Sequence, residues 1–140
     1  MPEKFKILTQ FVKDMSSETP DVETYLYVKE YIKNYNLNID ITTKPLKNRM
    51  IEVNTKLSYS DKGKSKNKSH FEMNYASIIK IDGEIKDRKI IEKIILCDVQ
   101  NEIYTNLEKT FINLLNSSGF PSIKFEKKID FEKLYKEKFN

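Results

Sequence analysis

The sequence predicts a single α+β domain over residues 1–140, with a four-stranded antiparallel sheet covered by helices on one face. Three segments alternate between apolar and polar residues with a period of two, as half-buried strands do. They cover residues 35–43, 51–59 and 69–81. After Gly83 the apolar residues recur at helical spacing instead. Strands that are followed by helices are typical of this fold class.

The first strand is predicted over residues 5–15, where the pattern is less regular. Its apolar residues fall into two phases, one with Ile7 and Phe11 and one with Leu8 and Val12. Either phase could face the core, and Asp14 lies near the polar face of the sheet if Ile7 and Phe11 point inward.

The connectors at residues 44–48 and 61–68 are short, so the last three strands should form a meander of antiparallel hairpins. The segment at residues 21–34 joins strands one and two and fits neither period. Its structure stays open at this point.

Two apolar stripes in the helical region point in directions about 150° apart. One contains Ile90, Ile91, Ile94 and Ile95, and the other contains Ile103, Leu107, Phe111, Leu114 and Leu115. We therefore expect a helix break within residues 97–101. Gly119 and Pro121 should end the second helix, and Asp130 should cap a last short helix. The reversed stripes suggest more apolar helical surface than one sheet face covers, and so helices that pack between subunits.

Composition excludes several classes of protein. A single Cys cannot form an internal disulfide, and the apolar runs are too short for a membrane span. No secretory signal is visible, so we expect a cytoplasmic protein that does not insert into membranes. The net charge of +4 is weak evidence for a nucleic-acid partner, since Lys, Ile and Asn, whose codons are AT-rich, are all abundant. A small basic nucleic-acid-binding protein that uses the lysine-rich turn at residues 62–68 remains an alternative.

Enzyme activity is not predicted. His70 is the only histidine, and it lies on the polar side of its strand. Cys97 has no histidine or second cysteine near it in sequence and is expected to be a small buried residue. Three glycines could hardly build a phosphate-binding loop.

One surface feature suggests binding. If the apolar phase of each strand faces the helices, the opposite face displays acidic side chains at Asp14, Asp40, Glu52 and Glu72. Such a face could dock a basic partner, although antiparallel sheets often keep one ordinary solvated face.

The order of these segments resembles the protein-export chaperone family SecB. Residues 11–21, FVKDMSSETPD, are similar to the family's motif after its first strand, and IEVNTKL and FEMNYASIIKI are similar to its third and fourth strands. Residues 120–135, FPSIKFEKKIDFEKLY, resemble the close of the family's domain.

The resemblance implies a homotetramer, a dimer of dimers, that holds unfolded preproteins and passes them to the motor SecA without ATP, metal or another cofactor of its own. Matched to the family, the SecA-binding residues would be Asp14, Glu18, His70 and Glu72. The client groove would run between the crossover segment, strand two and the last helix, with Tyr25, Leu26, Tyr27 and Tyr31 as its candidates. A SecB-like chaperone of a toxin–antitoxin system is an alternative within the same fold.

Overall fold

The computed structural model describes residues 4–61, 63, 68–121, 123, 125 and 129–139. Of the lysine-rich turn, Lys62, Lys64 and Lys66 lie outside these residues. The strands are β1 (Phe5–Glu18), β2 (Asn36–Pro45), β3 (Met50–Ser60) and β4 (His70–Ile81). The helices are α1 (Val22–Tyr31), α2 (Arg88–Lys93), α3 (Val99–Ser117) and α4 (Phe131–Phe139).

The four strands form one antiparallel sheet in the order β1-β4-β3-β2. The predicted fold class and the meander of the last three strands are confirmed. One face of β4 is buried along its whole length under the helices, with Phe71 and Met73 fully buried. We call this the inner face of the sheet and the opposite one the outer face.

Two β-bulges in β1 turn Ile7 and Phe11 to opposite faces of the sheet. Leu8 and Lys13 have no partner in the ladder with β4, so the alternation of faces shifts at each of them. Ile7 points to the inner face, but Phe11 stands across from Ala76 on the outer face. After the second bulge Asp14 also lies on the outer face, where it was predicted.

The segment at residues 21–34, which fits neither period, forms α1 and a 3-10 turn at Ile32–Asn34. The carboxylate of Asp21 caps α1 by accepting a 2.7 Å hydrogen bond from the Thr24 backbone N–H. The helical period was obscured because a polar residue, Thr24, shares the buried side of α1 with Val28.

The predicted helix break is wrong, because the helix continues from Arg88 to Ser117 through a π-helical turn at Ile94–Asp98. A π-turn has more residues per turn than an α-helix, so it rotates one apolar stripe relative to the next. Ile94, Ile95 and Ile103 are consequently all buried in the core of a single chain, whereas Ile90 stays exposed. The reversed stripes therefore do not themselves require a second subunit.

Both predicted helix boundaries after α3 are confirmed. The N–H of Phe120 bonds the carbonyl of Leu115, and that of Gly119 bonds Asn116, which is the Schellman pattern. Gly119 has a φ of 101°, which favours glycine. Asp130 accepts a 3.1 Å hydrogen bond from the Lys133 N–H at the start of α4.

Candidate functional site

The sheet register brings the four predicted SecA-binding residues together on the outer face. Glu18 stands across from His70, Ser16 from Glu72, and Asp14 from Asn74. Residues two apart on a strand share a face, so the side chains of both strands project to the same side. We call Asp14, Glu18, His70 and Glu72 the acidic patch.

Glu72 is at the centre of the polar contacts in the acidic patch. Its Oε1 lies 2.9 Å from Nε2 of His70, and its Oε2 lies 3.9 Å from the ammonium group of Lys56 on β3. Among the residues that the structure describes, neither Asp14 nor Glu18 makes an ion pair, and both are exposed. The patch therefore presents three carboxylates against one nearby lysine.

Asp40 and Glu52 lie on the outer face, as strand phase predicted, but Glu52 is paired with a lysine. Lys13 projects from the second bulge and bonds Glu52 on β3 at 2.8 Å, and Asn54 donates to the same carboxylate oxygen at 2.8 Å. The hydrogen bonds from Lys13 and then Asn54 lower the pKa of Glu52. Because Glu52 is already paired, the free negative charge of the outer face lies mainly where β1 ends and β4 begins, with Asp40 as a separate exposed carboxylate on β2.

The four predicted client residues all lie on α1, but they differ in environment. Tyr25 is half-buried, its ring packs on Phe120 at a centroid distance of 5.3 Å, and its hydroxyl group bonds Gly119. Leu26, Tyr27 and Tyr31 are exposed, and the two tyrosine rings lie 4.7 Å apart. Tyr25 therefore fastens α1 to the end of α3, while the other three form an exposed apolar surface.

Two adjoining cavities lie between β2 and α4, one of about 260 Å³ and one of about 1130 Å³. Both are lined by Ile39 and Leu134, and the larger one extends to Tyr35 and Phe125. This position, beside strand two and the last helix, is where the resemblance placed a groove. The described lining contains none of the four predicted client residues.

The sequence pattern did not predict the cavity lining, because it predicted that the inner face of β2 is buried. Its inner-face residues Leu37, Ile39 and Ile41 are only partly buried. β2 is the edge strand farthest from β1. The signal that could have revealed the cavity is an edge strand with an apolar face and no long helix to cover it.

Cys97 is buried in the π-helical turn, as expected, and its thiol lies 3.6 Å from the carbonyl oxygen of Phe131. Burial raises the pKa of this thiol, so little thiolate is present for nucleophilic chemistry.

The comparison with protein families decides the assignment, because the family described as "Preprotein translocase subunit SecB" matches residues 1–140. The chain belongs to the SecB family. A "Putative protein-export protein SecB" of Pelagibacter ubique is 56% identical over 140 residues, the full length of both chains. The "Protein-export protein SecB" of Parvibaculum lavamentivorans is 23% identical over 135 residues, which cover 96% of this chain and 79% of that protein.

The SecB fold is also found by structural comparison. A solved structure of a SecB-like chaperone from Mycobacterium tuberculosis, in complex with a ChAD peptide from the HigA1 antitoxin, has a TM-score of 0.68 at 7% identity. The match covers 91% of this chain and 92% of that chain. No helix in the described part of this SecB-family chain is long and apolar enough to cross a membrane.

Proposed function

We propose that this chain is a cytoplasmic export chaperone that holds unfolded preproteins and delivers them to SecA. Its SecB-family membership and the protein-export names of its relatives support a chaperone of the SecB type. The observation that carries the delivery step is the register that gathers Asp14, Glu18, His70 and Glu72 on the outer face.

The two surfaces that delivery requires are separate on this chain. The acidic patch lies on β1 and β4, whereas the cavities lie between β2 and α4, at the other edge of the sheet. A basic segment of SecA could therefore bind while a client is still held. The apolar lining around Ile39 and Leu134 suits unfolded chains, which expose apolar side chains.

The proposal includes a homotetramer, a dimer of dimers. Edge strand β1 leaves apolar side chains exposed on both faces, and a paired copy would cover them. These side chains are Leu8, Phe11, Val12 and Met15.

The test of the delivery step is binding of the SecA tail to a triple charge reversal, Asp14→Lys, Glu18→Lys and Glu72→Lys. Exposed charge pairs contribute about 1 kcal/mol or less each, so we expect a loss of ~10- to 100-fold that shrinks as salt is added. Client holding should not change.

A matched control reverses three exposed acidic residues that lie outside the sheet, Glu30, Glu84 and Glu102. It changes the net charge by the same amount, so it separates position from total charge. If both triple variants bind the tail like the parent, the role in export through this patch is wrong. The toxin–antitoxin role would then be favoured, and binding of an antitoxin peptide would be the next measurement.

A further inference from the structure

His70 is the only histidine of the chain, and it lies inside the acidic patch. Its Nε2 is 2.9 Å from Glu72, and about two-fifths of its side chain is exposed to solvent (43%). Histidine is the side chain whose charge ordinarily changes between about pH 5 and pH 8. The acidic patch therefore contains one side chain that becomes a cation when it is protonated.

The charged groups around His70 are mostly carboxylates. On its own strand it contacts Glu72, and from β1 Glu18 stands directly across from it. From β3, Lys56 reaches Glu72 at 3.9 Å. The connector before β4 carries two further charged residues within the described part of the chain, Asp61 and Lys68, and both bond Gly63.

We propose that protonation of His70 lowers the affinity of the acidic patch for a basic polypeptide segment. The inference rests on the proposed docking function and adds its regulation. When the His70 imidazole is neutral, the three carboxylates of the patch and Lys56 together carry two net negative charges. When His70 is protonated, the same groups and the imidazolium carry one. The imidazolium also holds the Glu72 carboxylate in an ion pair that an incoming lysine or arginine must displace.

Thermodynamic linkage gives the direction in which the affinity changes with pH. A cationic ligand prefers the patch with neutral His70, so its affinity rises as His70 loses its proton, and its binding releases protons. Because the groups are partly exposed, one charge changes the affinity by about two- to fivefold.

The test measures binding of N-acetylated pentalysine, which has no α-amino group that titrates between the two pH values, at constant ionic strength at about pH 5.5 and about pH 8. Calorimetry in two buffers of different ionisation enthalpy reports the released protons. Two variants hold the charge of residue 70 fixed at both pH values. H70Q keeps a neutral side chain and should bind at the tighter level at both pH values, whereas H70R keeps a cation and should bind at the weaker level at both.

The outcomes are distinguishable. Parent affinity that is the same at both pH values, or a pH dependence that persists in H70Q, would overturn the role of His70 and leave the docking function standing. If pentalysine binds the parent no better than the triple charge reversal at about pH 8, the docking function fails, and this regulation fails with it. Circular dichroism of both His70 variants checks that the sheet is intact.

Discussion

The Tyr25 hydroxyl group donates a 2.8 Å hydrogen bond to the carbonyl oxygen of Gly119, and this bond joins α1 to the turn that ends α3. The two residues are 94 positions apart in sequence. A Cβ atom at Gly119 would lie 2.8 Å from the Tyr25 ring, which is closer than packed carbon atoms come. The turn and the ring therefore fit only if residue 119 is glycine.

Gly119→Ala should destabilise the protein clearly. The left-handed backbone costs a non-glycine residue about 1–2 kcal/mol, and the displaced Tyr25 ring adds to that cost. The measurement is the free energy of unfolding in urea. Gly83→Ala is the control, because its added Cβ meets nothing within 4 Å and the effect should be small. Equal effects of the two substitutions would contradict the close contact.

Gln100→Leu should cost about 1–3 kcal/mol because it leaves a buried hydroxyl group unpaired. Thr55 donates to the Gln100 side chain at 2.9 Å, and Gln100 donates to the carbonyl of Ile95 in the π-helical turn. Adding Thr55→Val should recover part of the loss, since it removes the orphaned hydroxyl group. Strictly additive unfolding free energies in this double-mutant cycle would show that the pair is not coupled.

Lys13→Met should make stability less sensitive to acid. Hydrogen bonds from Lys13 and Asn54 lower the pKa of Glu52 in the folded state, so their contribution is present above the unfolded pKa and is lost as pH falls through the folded one. Urea midpoints of the parent and variant should differ slightly at about pH 7 and converge at about pH 3. If the difference between the two urea midpoints persists in acid, the effect comes from packing of the aliphatic part of the Lys13 side chain.

Replacing Leu26, Tyr27 and Tyr31 together by serine should weaken client binding without unfolding the chain, because all three are exposed on α1. We expect a loss of about fivefold or more for an unfolded polypeptide, from about 1 kcal/mol of lost apolar contact. Tyr25 is left unchanged, since it supports the fold. Leu134→Asp changes the cavities instead, and if it alone weakens binding, the cavities and not α1 hold the client.

Light scattering at micromolar concentration should give four times the chain mass of 16.6 kDa. Val12→Glu with Met15→Glu places charges on the exposed inner-face side of β1, so it should lower that mass. A parent protein that scatters as a monomer would reject the tetramer.

Strand phase and turn chemistry predicted most of the sheet and two residues of the acidic patch, whereas Glu18 and His70 were added by the resemblance to the SecB family. Alternating residues were sufficient for β2, β3 and β4, and the end of α3 followed from the conformational freedom of Gly119. Asp14 and Glu72 were placed on one face correctly.

The errors came from places where one residue changes the period. A β-bulge and a π-helical turn each add a residue without a strong local signal. The phase of β1 therefore stayed open, and a helix break was predicted within residues 97–101 where the helix continues. The burial of Gln100 was not predicted. A polar residue is recognised as a core residue only through its hydrogen-bond partner, and this partner, Thr55, is 45 positions away in sequence. α1 lacked a clear period because its exposed side is as apolar as its buried one.

The two unpaired residues of β1 also determine where this strand can change in length. Removing Leu8 or Lys13 would leave every remaining pair with β4 aligned, because neither residue occupies a rung of the ladder. Removing a paired residue such as Phe11 would instead move the residues between it and the next bulge to the opposite face of the sheet, since a one-residue slip exchanges the two faces. Insertions and deletions in this strand should thus be confined to two positions if all of its paired residues are to keep their faces.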